Sequence, residues 1–152
     1  MTIAPIPSSA PTSPSRYSAS LPNAMPDNPN SRLLLFAFRR MGAHGLNDAH
    51  AAHALFQAFG QDFRRPLLFL RTMMADLAHS AACPITIAPC CCMRMTASEA
   101  TILKIIERVE TAPDRARLLL GDLIGLRRPD GVLASITAVA QAFADAGRPL
   151  TP

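Results

Sequence analysis

The sequence predicts an all-α protein: a compact, bundle-like domain of about six short helices that follows a disordered N-terminal tail rich in Pro and Ser. Nearly half of the 152 residues are hydrophobic (49%), which is enough to form one buried core. From residue 32 onward, apolar residues recur every three or four positions, which is the spacing of one face of a helix. Gly and Pro interrupt this pattern at intervals. We therefore expect a single helical domain over residues 32–148.

Residues 1–31 differ in composition from the rest of the chain. They contain seven of the fourteen prolines, seven serines and only two charged residues, Arg16 and Asp27. Such a segment buries too little apolar surface to offset the entropy of ordering it. We therefore predict a disordered tail over residues 1–31. Both Met1 and Met25 are compatible with the start of translation, and the sequence leaves this choice open.

The first three predicted helices are bounded by Gly, Pro and a capping residue. The first, Arg32–Met41, stops before Gly42, and the second begins after Asn47, a residue type that favours the N-cap. The third starts at Arg65-Pro66, because Pro is favoured in the first turn of a helix. The faces that we expect to be buried contain, helix by helix, Leu33, Leu34, Leu35, Phe36 and Phe38, then Ala52, Leu55, Phe56 and Phe59, then Leu67, Leu70, Met74, Leu77, Ala78 and Ala81.

The other three helices carry clearer start and stop signals. Thr96 and Glu99 have the spacing of a capping box, in which each side chain accepts a hydrogen bond from the backbone N–H of the other residue. The fifth helix starts with Pro113 and stops near Gly125, and the sixth starts at Pro129. Their expected buried faces contain Ile102, Ile105, Ile106 and Val109, then Ala116, Leu119, Leu120 and Leu123, then Val132, Ile136, Val139 or Ala140, and Phe143.

The most distinctive part of the sequence is an uncharged linker between the third and fourth helices. It contains Cys83 and the motif Ala-Pro-Cys-Cys-Cys at residues 88–92. Thiolates bind soft metals, so Cys83, Cys90, Cys91, Cys92 and His79 form a candidate site for zinc, Cu(I) or an iron–sulfur centre. The spacing is poor for tetrahedral zinc, because zinc hooks use cysteines two to four residues apart and adjacent side chains point in different directions.

Two other interpretations of the linker remain open. In the first, Cys90–Cys92 are redox-active thiols, since Arg94 and the N-terminus of the fourth helix bring positive charge nearby. In the second, which the sequence favours, the cysteines are structural. Reduced Cys is among the most buried residue types, and an uncharged linker is typical of a segment that is threaded through the interior with its sulfurs shielded.

The motif at residues 88–92, together with the helix start Phe-Arg-Arg-Pro-Leu-Leu at residues 63–68, resembles a small uncharacterised family of alphaproteobacterial proteins. The resemblance covers residues 33 to about 146 and leaves the tail outside. It implies a bacterial cytoplasmic origin. It implies no activity, cofactor or site.

Two further groups of polar residues share a helix face. Asp76, His79 and Cys83 are an acid, a base and a nucleophile in order, but their face lies opposite the apolar one. We therefore expect it to be exposed to solvent and to have no catalytic role. His50 and His53 are close enough to bind one metal, but no carboxylate completes a metallohydrolase signature. We interpret them as a surface pair.

The composition argues against nucleic acid and membrane partners. The net charge is +4, and fourteen of the fifteen basic residues are arginines that are scattered without a dense tract, so we interpret them as solvated helix ends. No apolar run reaches the roughly 18–20 residues that span a bilayer. Residues 1–15 contain no basic residue that would begin a secretory signal. We therefore expect a cytoplasmic protein with reduced thiols.

These observations leave the function unknown and favour two hypotheses. The sequence contains no phosphate-binding Gly loop, dinucleotide fingerprint or nucleophile elbow, so we do not expect an enzyme. The leading hypothesis is a non-enzymatic cytoplasmic helical module that has no cofactor and contacts a protein partner or forms a homo-oligomer. The alternative is a thiol-dependent metal-binding or redox-responsive regulator that uses Cys90–Cys92.

Overall fold

The structure, a computed structural model, describes residues 21–151. Within this range the chain forms six α-helices and one two-stranded sheet, which confirms the predicted all-α class. A short 3₁₀ helix, Gly60–Phe63, connects the second and third α-helices. In chain order the elements are β1 (Asn23–Ala24), α1 (Pro29–His44), α2 (Ala49–Phe59), α3 (Arg64–Ser80), β2 (Arg94–Met95), α4 (Ala97–Arg108), α5 (Pro113–Ile124) and α6 (Asp130–Asp145).

The core is centred on α3 and α6, which pack against each other along much of their length. Leu70 and Met73 of α3 and Ile136, Val139 and Phe143 of α6 are completely buried. The pair α4 and α5 covers this core from one side, and α1 and α2 form a second pair that contacts α3. Helix α1 also contacts α4. The linker between α3 and α4 runs beside α1, where Ile87 of the linker approaches Gly42.

Most of the predicted helix starts and stops are confirmed, but the first helix continues through Gly42 to His44 and does not end at Met41. The capping box is present, since Thr96 Oγ1 accepts from the N–H of Glu99 at 3.0 Å and Glu99 Oε2 accepts from the N–H of Thr96 at 2.9 Å. Pro113 is the first residue of α5, and Gly125 ends that helix with a φ of 73°, a conformation that favours glycine. The predicted N-cap of α2 is wrong by one residue. The N-cap is Asp48, whose Oδ1 accepts from the N–H of Ala51 at 2.8 Å.

The predicted boundary of the tail differs from the structure between residues 21 and 31. Helix α1 begins at Pro29, and Asn28 caps it by accepting a hydrogen bond from the N–H of Asn30 at 2.8 Å. Further upstream, β1 pairs with β2 in antiparallel orientation. A two-residue strand has no periodicity to read, and its partner lies about seventy residues later in the chain. The part of the predicted tail before residue 21 lies outside the described residues.

The predicted buried faces are confirmed completely for α4 and α6, whereas those of α1, α2 and α3 differ. In α1 Phe36 is 37% exposed, and in α3 Ala78 is exposed. In α2 only Ala51 and Leu55 are buried, and Phe56 is 43% exposed. The reason is position: α2 lies at the edge of the bundle, where Phe56 packs edge-on against Phe63 and leaves one side open to solvent. Arg39 of α1 also departs from the expectation of solvated arginines, because it is 2% exposed.

Helix length and hydropathy also bear on membranes. None of the helices within residues 21–151 is both long enough and apolar enough to cross a bilayer.

Candidate functional site

The linker between α3 and α4 is held against the outside of the bundle. Its first anchor is a hydrogen bond of 2.8 Å from the N–H of Ala82 to the carbonyl of Ile124, at the end of α5. Its second anchor is a close contact with α1, where a Cβ atom on Gly42 would lie 2.5 Å from the Cδ1 atom of Ile87. Among residues 82–93 only Ala88 and Cys92 are buried, so the linker follows the surface and the expectation of a segment threaded through the interior is wrong.

Residues 88–96 of this linker, here called the thiol loop, are organised by a buried ion pair. Arg39 Nε lies 2.8 Å from Glu99 Oε1, and Arg39 Nη2 lies 2.9 Å from Glu99 Oε2. The side chains are 2% and 0% exposed. Bidentate pairs of this kind form strong hydrogen bonds. The cost of removing both charges from water is offset only when the remaining donors and acceptors of the two groups also have partners.

The backbone of the thiol loop supplies those other bonds. Arg39 donates to the carbonyl oxygens of Cys92 and Arg94, each at 2.7 Å, and to that of Pro89 at 3.4 Å. Together with the two bonds to Glu99, all five N–H groups of the guanidinium have an acceptor. Glu99 in turn accepts from the N–H of Ala88 at 3.0 Å, besides the capping-box bond. Hydrogen bonds with both members of the ion pair therefore hold the backbone of the loop from the inside of the bundle.

A second set of contacts fixes the loop from its other side. Arg94 donates from Nε to the carbonyl of Leu21 at 2.6 Å and from Nη2 to that of Pro22 at 3.0 Å. Thr96 donates from Oγ1 to the carbonyl of Thr86 at 2.7 Å. The segment before β1 is therefore part of the framework that holds the thiols.

This framework presents the three consecutive thiols to different environments. Cys92 is buried, Cys90 is half-buried and Cys91 is exposed. Met93 is 74% exposed. The cysteines therefore do not form the shielded apolar cluster that the sequence favours, and their unequal exposure agrees with the expectation that adjacent side chains point in different directions.

The structure does not bring the candidate metal ligands together. His79 is exposed near the end of α3, and Cys83 is exposed against Gly125, where a Cβ atom would lie 3.0 Å from the sulfur. In the part of the chain that the structure describes, no group of three or more His, Cys, Asp and Glu side chains has the arrangement to hold a metal ion. The set of Cys83, Cys90, Cys91, Cys92 and His79 is thus dispersed.

Cys90 instead lies in a cluster of polar side chains between α1 and α2. Arg40 is bonded to Asp48 through Nε at 3.1 Å and through Nη2 at 2.8 Å, and its Nη2 lies 3.0 Å from His50 Nδ1. The hydrogen bonds from Arg40 lower the pKa of Asp48 to about 2. The pKa of Arg40 is raised, chiefly by its hydrogen bond to Asp48 and further by its contact with the Cys90 side chain. The side chain of Cys90 therefore interacts with Arg40, whose guanidinium is held by Asp48.

The other polar groups singled out from the sequence stay apart. Asp76 accepts a hydrogen bond from the hydroxyl of Ser135 on α6, while His79 and Cys83 remain exposed, so no triad forms. His50 and His53 are both exposed, as expected of a surface pair.

Sequence reasoning missed Arg39 and Arg40 as parts of the site. One signal was available for Arg39, since it follows Leu35 by four residues and Phe38 directly, which places a charge within the apolar face of α1. A charge at such a position is typical of a buried ion pair. The partner was not readable, because Glu99 lies sixty residues away and was already accounted for by the capping box.

A family model described as a family of unknown function (DUF6628) matches residues 12–136, which is most of the chain and includes the whole thiol loop, the ion pair and the Arg40 cluster. Because this match begins within residues 1–31, the expectation that the resemblance leaves the tail outside is wrong. No curated protein and no solved structure matches the chain. The chain belongs to this family of unknown function.

Proposed function

We propose that the protein is a non-enzymatic, redox-responsive regulator in which Cys90 is the reacting thiol. The observation that supports this proposal is the place of Cys90, which is half-buried between two residues whose carbonyls accept hydrogen bonds from Arg39, and which itself interacts through its side chain with Arg40. Redox-sensing cysteines are accessible thiols next to positive charge, whereas structural cysteines are enclosed by apolar side chains. Among the three consecutive cysteines of the motif, Cys90 fits the first description.

The chemistry that suits this thiol is oxidation by a peroxide. The Cys90 sulfur attacks one oxygen of hydrogen peroxide, and the S–O bond forms as the O–O bond breaks. The sulfur is oxidised to a sulfenic acid, the peroxide is reduced, and the second oxygen leaves with the thiol proton as water. This proposal includes a cytoplasmic location, because the small thiols of a reducing compartment make the response reversible. One such thiol attacks the sulfenic acid to form a mixed disulfide and releases its oxygen as water. A second small thiol then attacks the mixed disulfide, which releases Cys90 as a thiol and forms the disulfide of the two small thiols.

The proposal is tested by trapping the oxidised residue. Reduced full-length protein is treated with limiting hydrogen peroxide and a sulfenic-acid probe, and the labelled residue is located by mass spectrometry. We expect label on Cys90 in the unmodified protein and in Cys91→Ser, which removes an exposed thiol one residue away, and none on the loop in Cys90→Ser. Equal labelling of Cys90 and Cys91, or no labelling, would contradict the proposal.

The metal-binding form of the thiol hypothesis is a separate outcome. Its candidate ligands are dispersed among the described residues, which favours the redox form. Elemental analysis of protein purified under reducing conditions distinguishes the two. Zinc, copper or iron at about one ion per chain, lost in Cys90→Ser, would favour metal binding.

The protein-interaction module remains the second candidate function. The observation that favours it is a set of large apolar side chains exposed on the described surface, of which Leu68 on α3 and Leu118 on α5 are the most exposed on helices. A homo-oligomer is the form that is simplest to test, by sedimentation of the full chain over a range of concentrations. If the chain self-associates and Leu68→Gln or Leu118→Gln weakens that association, the result would support a homo-oligomer. A chain that stays monomeric at every concentration would exclude the homo-oligomer.

A further inference from the structure

The exposed face of α5 is centred on Leu118, whose side chain is 70% exposed. Beside it lies a groove of about 590 Å³ that is lined by residues of α5 and of the loop that follows the helix, among them Gly121 and Leu126. The loop approaches the helix closely because Gly121 has no side chain: a Cβ atom there would lie 2.8 Å from the carbonyl oxygen of Leu126. A large apolar side chain next to an open groove is a surface that a partner can cover.

The charges around Leu118 indicate which partner fits this face. Arg115 and Asp122 are exposed and lie seven residues apart, so they are on the same flank of α5, about two turns from each other, with Leu118 between them. Neither side chain makes an ion pair or a hydrogen bond within residues 21–151. On the other flank, Arg117 is already paired with Asp130 of α6 at 3.0 Å. The flank with Arg115 and Asp122 therefore presents one unpaired base and one unpaired acid, placed on either side of Leu118.

We propose that α5 is the interface of a symmetric homodimer, in which it packs antiparallel against α5 of a second copy of this chain. This inference rests on the second candidate function, the protein-interaction module, and does not depend on the oxidation of Cys90. A two-fold axis at the level of Leu118 reverses the direction of the helix and keeps each flank on the same side. Arg115 then faces Asp122 of the partner subunit, the reverse contact follows by symmetry, and the two Leu118 side chains meet near the axis.

The groove is complementary to itself in the same sense. Asp114 lines it at the N-terminal end of α5, and Arg127 lines it just beyond the C-terminal end. Because the two-fold axis reverses the helix, the acidic end of one groove lies toward the basic end of the other. Complementary charges of this kind fix the register of an interface and disfavour other partners.

The face around Leu68 on α3, the other strongly exposed leucine on a helix, lacks this complementarity. The charged residues within one turn of Leu68 are Arg64, Arg65 and Arg71, and all three are basic. Only Arg65 is paired with a carboxylate, that of Asp145. A two-fold axis at Leu68 would bring an excess of positive charge together, which opposes association. The distribution of charge therefore favours α5 as the interface between copies.

The test reverses the two charges one at a time. Association of the full-length chain is measured by sedimentation equilibrium over a range of concentrations, and we expect a dimer. Arg115→Glu and Asp122→Arg should each raise the dissociation constant at least about tenfold, because each change places two like-charge contacts across the two-fold axis. Leu118→Gln should raise it by a similar factor, since a polar amide then lies at the centre of the interface.

Two combinations distinguish reciprocal pairing from a general effect of charge. An equimolar mixture of the Arg115→Glu chain and the Asp122→Arg chain should form a heterodimer, because every acid again faces an arginine. The double variant should form a homodimer whose dissociation constant is within about threefold of that of the unmodified chain. Arg64→Glu on α3 changes the charge as much as Arg115→Glu does and should leave the dissociation constant unchanged. All these residues are exposed, so every variant should keep the fold, which circular dichroism verifies.

The outcomes separate this inference from the candidate function on which it rests. A chain that stays monomeric at every concentration would overturn both the α5 interface and the homo-oligomer. If the chain dimerises but neither charge reversal weakens the dimer, or the mixed chains do not associate, the antiparallel α5 interface is wrong. If Leu68→Gln then weakens the dimer, the interaction module stands with its interface on α3. The labelling of Cys90 is measured independently, so the redox function stands or fails separately.

Discussion

Replacing Glu99 by Gln removes one charge from the buried ion pair and almost no volume. Each carboxylate oxygen of Glu99 faces two donors: Oε1 accepts from Arg39 and from the N–H of Ala88, and Oε2 accepts from Arg39 and from the N–H of Thr96. The amide of Gln has one oxygen and one NH₂ group. In either orientation the NH₂ group points at two donors, so neither orientation of Glu99→Gln satisfies the site.

The expected cost follows from the charge that remains. Arg39 is 2% exposed, so Glu99→Gln leaves a buried guanidinium without a counter-charge. Breaking a buried ion pair by removing one partner typically costs about 3–5 kcal/mol. A domain of this size is stable by about 5–15 kcal/mol, so Glu99→Gln is expected to remove a large share of the total.

Urea unfolding followed by circular dichroism measures this loss. The matched control is Glu107→Gln on the same helix, where burial raises the pKa of the carboxyl and the charge is therefore unfavourable in the folded state. We expect the control to change the free energy of unfolding by less than about 0.5 kcal/mol. A loss below about 1 kcal/mol for Glu99→Gln would refute the argument that the pair and its four bonds act as a unit.

A double replacement tests the role of the thiol loop in the same experiment. Changing a buried ion pair to apolar residues is often neutral or stabilising. Here Arg39→Met with Glu99→Leu should stay destabilised, because the carbonyls of Cys92 and Arg94 and the N–H of Ala88 lose their partners. Full recovery of stability would show that the loop is held by other contacts.

Three further predictions concern single positions. The folded pKa of Asp48 is lowered to about 2 from 3.8, so its stabilising contribution is present above pH 3.8 and is lost as the pH falls through about 2. The acid unfolding curve of Asp48→Asn should therefore be less steep in that window. An unchanged curve would show that Arg40 does not hold this carboxylate. Gly125→Ala places a Cβ atom on a residue with a φ of 73° and 3.0 Å from the Cys83 sulfur. We expect it to lower the free energy of unfolding in urea by about 1–2 kcal/mol, and an unchanged value would contradict this packing. A chain that starts at Met25 lacks β1 and the two carbonyl groups that accept hydrogen bonds from Arg94 in the thiol loop. Its melting temperature in a thermal scan should therefore be lower than that of a chain that starts at residue 21, by about 4 °C or more. Equal melting temperatures would show that these contacts do not contribute to stability.

The sequence predicted the helices well because their signals are local. The capping residues Thr96 and Glu99, the proline that opens α5 and the glycine that ends it act within one turn of the chain, and so they can be read without knowing what packs against them. The error at the start of α2 arises because the local signals there are ambiguous. Asn47 and Asp48 are equally good N-caps, and only Asp48 pairs with Arg40 of α1.

The candidate site was harder to predict because it depends on contacts between distant segments. Absence of charge in the linker suggested burial, but the charges that matter for the thiol loop come from α1 and α4. Whether a cysteine is shielded or open depends on which backbone groups Arg39 holds, and no local pattern reports that. The Ala-Pro-Cys-Cys-Cys motif identified the segment that contains the candidate site, and the structure showed that its three thiols differ in exposure.

The pairing of residues sixty positions apart also bears on the order of events during synthesis. Arg39 leaves the ribosome well before Glu99, and until then its guanidinium has no counter-ion and stays hydrated. The helical pair that carries Arg39 therefore cannot settle into its final packing while the chain is still short, and the cysteines emerge before the clamp that orients them is complete. Until translation has passed Glu99, the thiol loop of a nascent chain therefore lacks the ion pair that holds it in the completed fold.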